Sequence, residues 1–342
     1  MRARDRILGI CGRPRDARTL RMELLEEIRT VVGFDAYAWL LTDPETAVGT
    51  SPMADVPCLP ELPRLIRLKY LTNVNRWTTL SQPVALLSHT TGGDLSRSLV
   101  WREMLCYFGV EDIASSVFRD QHGCWGFLDL WRMAGPFAAS EAAFLADIAA
   151  PMTTALRRAQ ANTFADPPER GTRGPVVLVL SPDLVVRAQT PQTQEYLRLL
   201  VPPDEDRSPV PAGAYNVAAQ LLANESGVDT APPWARVYLS GGRWLTLRAA
   251  RLGDLGAPHQ REFAISIEEA APTDRAALFA RAHGLSAREG ELLSHLAAGI
   301  DTHELAHRMF LSQHTVQDHV KSIFAKTGVN SRPALLSRAL GT

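Results

Sequence analysis

The 342-residue chain is poor in lysine and cysteine and has no long apolar run, and each scarcity removes a class of protein. No stretch reaches the roughly 18 consecutive apolar residues that a membrane-spanning helix needs. The opening MRARDRILGICGRPRDARTL is charged and interrupted by glycine and proline, so it does not read as a signal peptide, and a cytoplasmic chain is expected. The four cysteines, Cys11, Cys58, Cys106 and Cys124, show no CxxC or Cys/His spacing, so reduced and mostly buried thiols are expected rather than a disulfide framework or a metal site. Only Lys69, Lys321 and Lys326 among the 36 basic residues are lysines, and no Gly-Lys pair exists to form a phosphate-binding loop. GxSxG and GxGxxG are also missing. The chain therefore reads as no enzyme and as needing no cofactor.

What is present is enough apolar residue for extensive packing, 46% of the chain, with 21% charged. At roughly 100–200 residues per domain, that length implies two or three domains. The net charge of −1 gives no overall basic signature, so charge has to be read locally. The stretch Ala165–Gly174, ADPPERGTRG, has the composition of a linker, and a second break falls near Glu268–Asp274. Three domains are expected, at 15–162, 174–270 and 275–342.

In the first segment Leu20, Leu24, Leu25, Ile28, Val31 and Val32 share one helical face closed by Gly33, and a strand over Phe34–Leu41 follows. Ile113–Arg119 and Cys124–Met133 read as a hairpin, and a long helix capped by Ser140 ends the segment. This order, with GCWGFLDLWRMAGPFAASEAAFLADIAAPMTTALRRA at 123–159, resembles a GAF sensor domain over most of 20–160. Trp39, Trp101, Trp125 and Trp131 are candidates for lining a ligand pocket there, set against ordinary core packing.

The second segment reads as strands at Pro175–Leu180 and Leu184–Ala188, helices at Gln192–Leu200 and Ala212–Asn224, and strands at Trp234–Leu239, Arg243–Arg251 and Glu262–Glu268. A Pro-rich loop separates the two helices. By element order this segment resembles a PAS-type domain.

From Leu285 the caps and periodicities reinforce one another. Ser286-Ala287-Arg288-Glu289 is a capping box, Asp301 opens a second helix, and Ser312 caps a third that ends at Gly328. A fourth starts near Ser331 and tolerates Pro333 in its first turn. A short turn joins the second and third helices, as in a helix-turn-helix. On the third, His314, Asp318 and Lys321 lie opposite Val316, Val320 and Ile323, with Gln317 on the flank. Seven basic residues stand against five acidic ones from Arg281 onward. Six of the nine histidines fall here, His303 and His307 at i,i+4 spacing, but no metal is expected.

LSAREGELL at 285–293, AAGI at 297–300 and ELAHRMFLSQHTVQDHVKSIFAKTGVNSRPAL at 304–335 resemble the LuxR-type, or GerE-type, helix-turn-helix over Ala282–Leu340. With its two sensor-like segments the chain resembles an actinobacterial-style regulator of that type. The implied fold class is multidomain α+β, with GAF-like and PAS-like antiparallel-sheet domains followed by an all-α four-helix DNA-binding domain. The resemblance further implies that Gln317, Asp318 and Lys321 read bases and that Thr315, Lys326 and Arg332 sit where backbone or helix-end contacts occur; His314, on the same helical face, completes the DNA-binding set as a groove-facing candidate. A carboxylate at Asp318 needs a cytosine partner or a neighbouring base such as Lys321. The implied partners are a partly palindromic duplex, a second copy of the chain and an unidentified small molecule. The alternative is a sensor or protein-interaction scaffold whose helix-turn-helix no longer binds DNA.

Overall fold

In the computed structural model, which describes residues 3–165, 174, 176–200, 211–253 and 262–341, the chain opens with helices α1 (Ala3–Gly12) and α2 (Ala17–Arg29). Strands β1 (Ala36–Thr42) and β2 (Gly49–Asp55) follow, then α3 (Leu62–Leu71), β3 (Val84–Leu86), α4 (Leu87–Thr90) and α5 (Leu99–Glu103). The unit closes with β4 (Asp112–Asp120), β5 (Gly123–Arg132) and α6 (Ala139–Asn162). The strands form one antiparallel sheet in the order β2-β1-β5-β4-β3.

Local chemistry accounts for the helices on one face of that sheet. The Asp16 carboxylate accepts the Arg18 and Thr19 N–H groups, both at 2.9 Å, and starts α2, whose Leu20, Leu24 and Ile28 are buried. α6 buries Leu145, Ile148, Met152, Ala155, Leu156 and Ala159 against the same core. Its start differs from expectation: the first turn begins after Ala138, not at Ser140, and the Glu141 carboxylate accepts the Ala138 N–H at 2.7 Å. The opening segment, which reads as broken, is helical because Ile7 and Cys11, four residues apart, bury one stripe in the core that α2 and α6 share.

The second unit contains β6 (Val176–Leu180), β7 (Val186–Gln189), α7 (Thr193–Leu200), α8 (Ala212–Glu225), β8 (Trp234–Ser240), β9 (Arg243–Arg251) and β10 (Phe263–Glu269). Its antiparallel sheet runs β7-β6-β10-β9-β8, the order of the first sheet counted from its own first strand. The linker expected at Ala165–Gly174 and the Pro-rich loop after residue 200 lie mostly outside the described residues. α8 is buried almost all round, from Ala212 and Ala214 through Val217, Ala218 and Ala219 to Ala223, because it packs both on its own sheet and on α3 and β2 of the first unit.

Five helices complete the described chain: α9 (Pro272–Ala282), α10 (Ala287–Ala297), α11 (Thr302–Arg308), α12 (Gln313–Thr327) and α13 (Arg332–Leu340). The fold class is the expected one, two antiparallel-sheet units followed by helices, with α9 added ahead of the expected four. Among the described residues no helix is long and apolar enough to cross a membrane.

Buried arginines tie the parts together. Arg236 on β8 donates through Nε and Nη2 to the two oxygens of Asp43, at 2.7 and 2.9 Å, and through Nη1 to the Asp274 carbonyl of α9 at 3.0 Å. Arg76 reaches Asp229 at 2.6 Å and Gln220 of α8 at 3.3 Å. Phe164, after α6, stacks on Trp244 and meets Phe279 of α9 edge-on, with centroids 5.5 and 5.4 Å apart. The tip of the β4–β5 hairpin reaches α9, where Arg281 donates to the His122 carbonyl at 3.0 Å.

Candidate nucleic-acid interface

Each of the last four helices, α10 to α13, begins on a side chain that satisfies a free backbone N–H. Ser286 and Glu289 cap reciprocally: the Glu289 carboxylate accepts the Ser286 N–H at 2.6 Å, and the Ser286 hydroxyl accepts the Glu289 N–H at 3.3 Å. Asp301 accepts from His303 and Glu304 at 2.8 and 2.9 Å, Ser312 from Thr315 at 3.1 Å, and Ser331 from Ala334 at 3.3 Å. Gly328 ends α12 in the left-handed region, at φ 66°.

These caps fix which way α12 faces. Val316 and Ile323 are fully buried, whereas His314, Gln317, Asp318 and Lys321 are exposed, so the structure brings those four together on one outward surface. Asp318 sits between two partners, with Lys321 Nζ 3.3 Å from one carboxylate oxygen and His314 Nδ1 3.1 Å from the other. The neighbouring base that an acidic residue there requires is therefore present.

The other three residues expected from the sequence to bind DNA lie apart from that surface. Thr315 is half-buried at the α12 start, its hydroxyl 2.9 Å from that of Ser312. Lys326 turns toward α10, where its Nζ lies 2.6 Å from the Glu289 carboxylate, and the Ser322 hydroxyl donates to the other oxygen at 2.6 Å. Burial alone would raise the Glu289 pKa, but Lys326, Ser322 and Ser286 outweigh it and hold the group at about 2. Arg332 donates to the Ile300 carbonyl, tying the start of α13 to the loop before α11. Sequence reasoning identified Glu289 only as a cap, because nothing local announces a partner 37 residues away.

The stretch His303-Glu304-Leu305-Ala306-His307 spells HExxH, the signature of zinc proteases, yet both histidines are exposed and Glu304 pairs with Arg308 at 2.8 Å. Among the described residues no three His, Cys, Asp or Glu side chains converge as a metal site.

The four tryptophans do not converge either. Trp39 is fully buried and stacked on Phe118, with centroids 5.5 Å apart. Trp125 donates to Asp120 at 2.9 Å, and Trp101 donates to the Val110 carbonyl at 2.7 Å. Only Trp131 lines the cavity between β1, β5 and α3. The four cysteines are free, and burial pushes the Cys11 and Cys58 thiols up to about 11.

Comparison with known proteins agrees with this geometry at one end of the chain. Residues 283–339 match the family of bacterial regulatory proteins, luxR family. A probable HTH-type transcriptional regulator, GfsR of Streptomyces halstedii, is 40% identical over 57 residues, which are 17% of this chain and 24% of that one. The match thus spans about a quarter of the relative's length. A bacteriophytochrome from the photosynthetic bacterium R. palustris aligns over 87% of this chain and 75% of its own, at 13% identity and a TM-score of 0.35. Residues 283–339, with α12 facing outward on its polar side, are a luxR-family helix-turn-helix domain carried behind two antiparallel-sheet units.

Proposed function

We propose that the chain is a sequence-specific DNA-binding transcription regulator in which α12 enters the major groove. The observation that carries this reading is the exposed row His314, Gln317, Asp318 and Lys321 on a helix whose opposite side is locked by Val316 and Ile323. Glutamine pairs with adenine, lysine with guanine or phosphate, and aspartate with the cytosine amino group. Lys326, held by Glu289, and Arg332, held by the Ile300 carbonyl, support the module from behind.

In this reading two copies bind a partly palindromic site, each placing one α12 in a groove about one helical turn from the other. The two sheet units, taken as sensor domains at 15–162 and 174–270, bias that assembly through contacts such as Arg281 with His122 and Arg236 with Asp274. Selection of random duplexes by the full chain tests the reading: two related half-sites about one turn apart support it. Recovery of no common sequence rejects it. The second reading, a scaffold whose helix-turn-helix is silent, draws on the engagement of both Lys321 and His314 by Asp318 in the free chain. It predicts that same empty selection.

A further inference from the structure

Between the first and second units lies a cleft of about 920 Å³, within the roughly 300–1,000 Å³ span of small-molecule sites. The first unit contributes the start of α2, parts of β1 and β2 and the end of α6, and the second contributes β8 and β9. Leu41, Pro52 and Leu156 supply apolar wall from the first unit, and Tyr238, Leu239 and Trp244 supply it from the second.

Arginine dominates its charged groups. Arg15, Arg18, Arg21 and Arg236 line the cleft against one carboxylate, Asp16, whose Oδ1 accepts the Arg18 and Thr19 N–H groups. Arg236 is matched by Asp43 and Glu45, and Arg15 by Glu23 at 3.1 Å. Arg18 and Arg21, three residues apart on α2, form no ion pair with a carboxylate among the described residues. Arg18 is exposed, whereas Arg21 is only 4% exposed and its guanidinium is fixed. Its Nε donates to the Ala17 carbonyl at 3.0 Å, and its Nη1 to the carbonyls of Trp39 and Ser51 at 3.1 and 2.9 Å. Nη2 donates to no protein atom among the described residues, and it is not one of the side-chain nitrogens sealed in the interior. Carbonyls satisfy donors without neutralising the charge: burial, with Arg18 adding to it, pulls the Arg21 pKa from 12.5 down to about 10. An oxyanion at Nη2 supplies the missing counter-charge, and a fork already held in place loses little freedom in gripping it.

We propose that this cleft binds a mainly apolar organic anion, its carboxylate or phosphate held by Arg21 and Arg18 and its body laid against Tyr238, Leu239 and Trp244. A neutral molecule of the same shape leaves both guanidinium groups unmatched, and a bare anion leaves the apolar wall uncovered. A bound molecule bridges the two units. Trp244 stacks on Phe164, which meets Phe279 of α9, so occupancy of the cleft is felt at the C-terminal helices. This last consequence rests on the sensing role proposed above; the site itself does not.

The test uses the full chain without DNA, so its failure and the failure of DNA recognition are separable. The probes are 1-naphthoate, 1-naphthyl phosphate, the uncharged 1-naphthalenemethanol and inorganic phosphate, each titrated calorimetrically up to about 10 mM. At least one naphthyl anion should bind saturably at one site, and whichever binds more tightly names the head. The alcohol and inorganic phosphate should each bind at least about ten-fold more weakly than that anion. Arg18→Ala removes an exposed side chain with no protein partner, so the chain should stay folded and bind the better anion at least about five-fold more weakly. Saturable binding of neither naphthyl anion, or an alcohol or inorganic phosphate that binds within ten-fold of the better one, overturns the proposal. So does an Arg18→Ala chain whose affinity falls by less than five-fold. The comparison of probes needs no variant to fold.

Discussion

Lys326 Nζ lies 2.6 Å from the Glu289 carboxylate, so the C-terminal half of α12 is pinned to the first turn of α10 by a charge pair that also completes a helix cap. The carboxylate is buried, 5% exposed, and has lysine, serine and backbone partners, while the lysine keeps 38% exposure. A pair with one wet end is worth less than a fully buried one, but removing the lysine strands a buried charge. Lys326→Met should therefore lower the stability of the helical region by about 2–3 kcal/mol, with a smaller loss when Glu289→Gln accompanies it. Urea unfolding followed by circular dichroism reads both.

Acid should loosen the junction between the sheet units and the C-terminal helices. Burial, helped by the Arg338 and Arg157 charges, pushes His283 down to about 4 from an ordinary 6.5, and its ring packs 4.3 Å from that of Phe279. A histidine that resists protonation only when folded gives stability that is present above about pH 6.5 and lost as the pH falls toward 4. Glu289, ordinarily at 4.5 and here at about 2, adds its own loss only below that window. Urea midpoints should fall between pH 6.5 and 4.5, and His283→Phe should flatten that part of the profile.

The joint between the first and second units depends on Asp43 and Arg236, whose side chains are 0% and 1% exposed. Asp43→Ala leaves a buried guanidinium with only the half-exposed Glu45 as a charged partner, and about 3–5 kcal/mol of stability should be lost. Arg236→Met together with Asp43→Ala should recover much of that loss, since neither charge then remains buried. Chemical unfolding of the two variants against the original chain decides it.

These joints also show where sequence reading stops. The starts of α10 to α13 were legible because a cap uses residues within three positions of each other, as Ser312 with Thr315 and Ser331 with Ala334. The β4–β5 hairpin was legible from its alternation and turn. β2 was not: Gly49-Thr50-Ser51-Pro52-Met53-Ala54-Asp55 lacks the branched and aromatic residues of a strand, and Pro52 is tolerated because β2 lies at the sheet edge. Arg236 and Asp43 are 193 residues apart, and no local pattern joins them. In the C-terminal helical domain the outward row on α12 followed from helical period alone, but the inward turn of Lys326 depended on α10.

Lys321 and Gln317 should fail in different ways. Lys321→Ala removes an exposed cation and should weaken binding by roughly 1–3 kcal/mol if it contacts a base, with a shallower salt dependence if it contacts phosphate. Gln317→Ala should broaden the sequences recovered in selection while leaving total affinity nearly unchanged. Titrations across a range of salt, with selected-site profiles for both variants, separate the two roles.

The most direct measurement is equilibrium binding of the full chain to its best selected duplex and to a scrambled duplex of equal length, at physiological ionic strength. The account predicts a preference of about a thousand-fold or more for the selected site, largely lost when Gln317 and Lys321 are both alanine. Equal affinity for the two duplexes, in a chain shown to be folded, would contradict it.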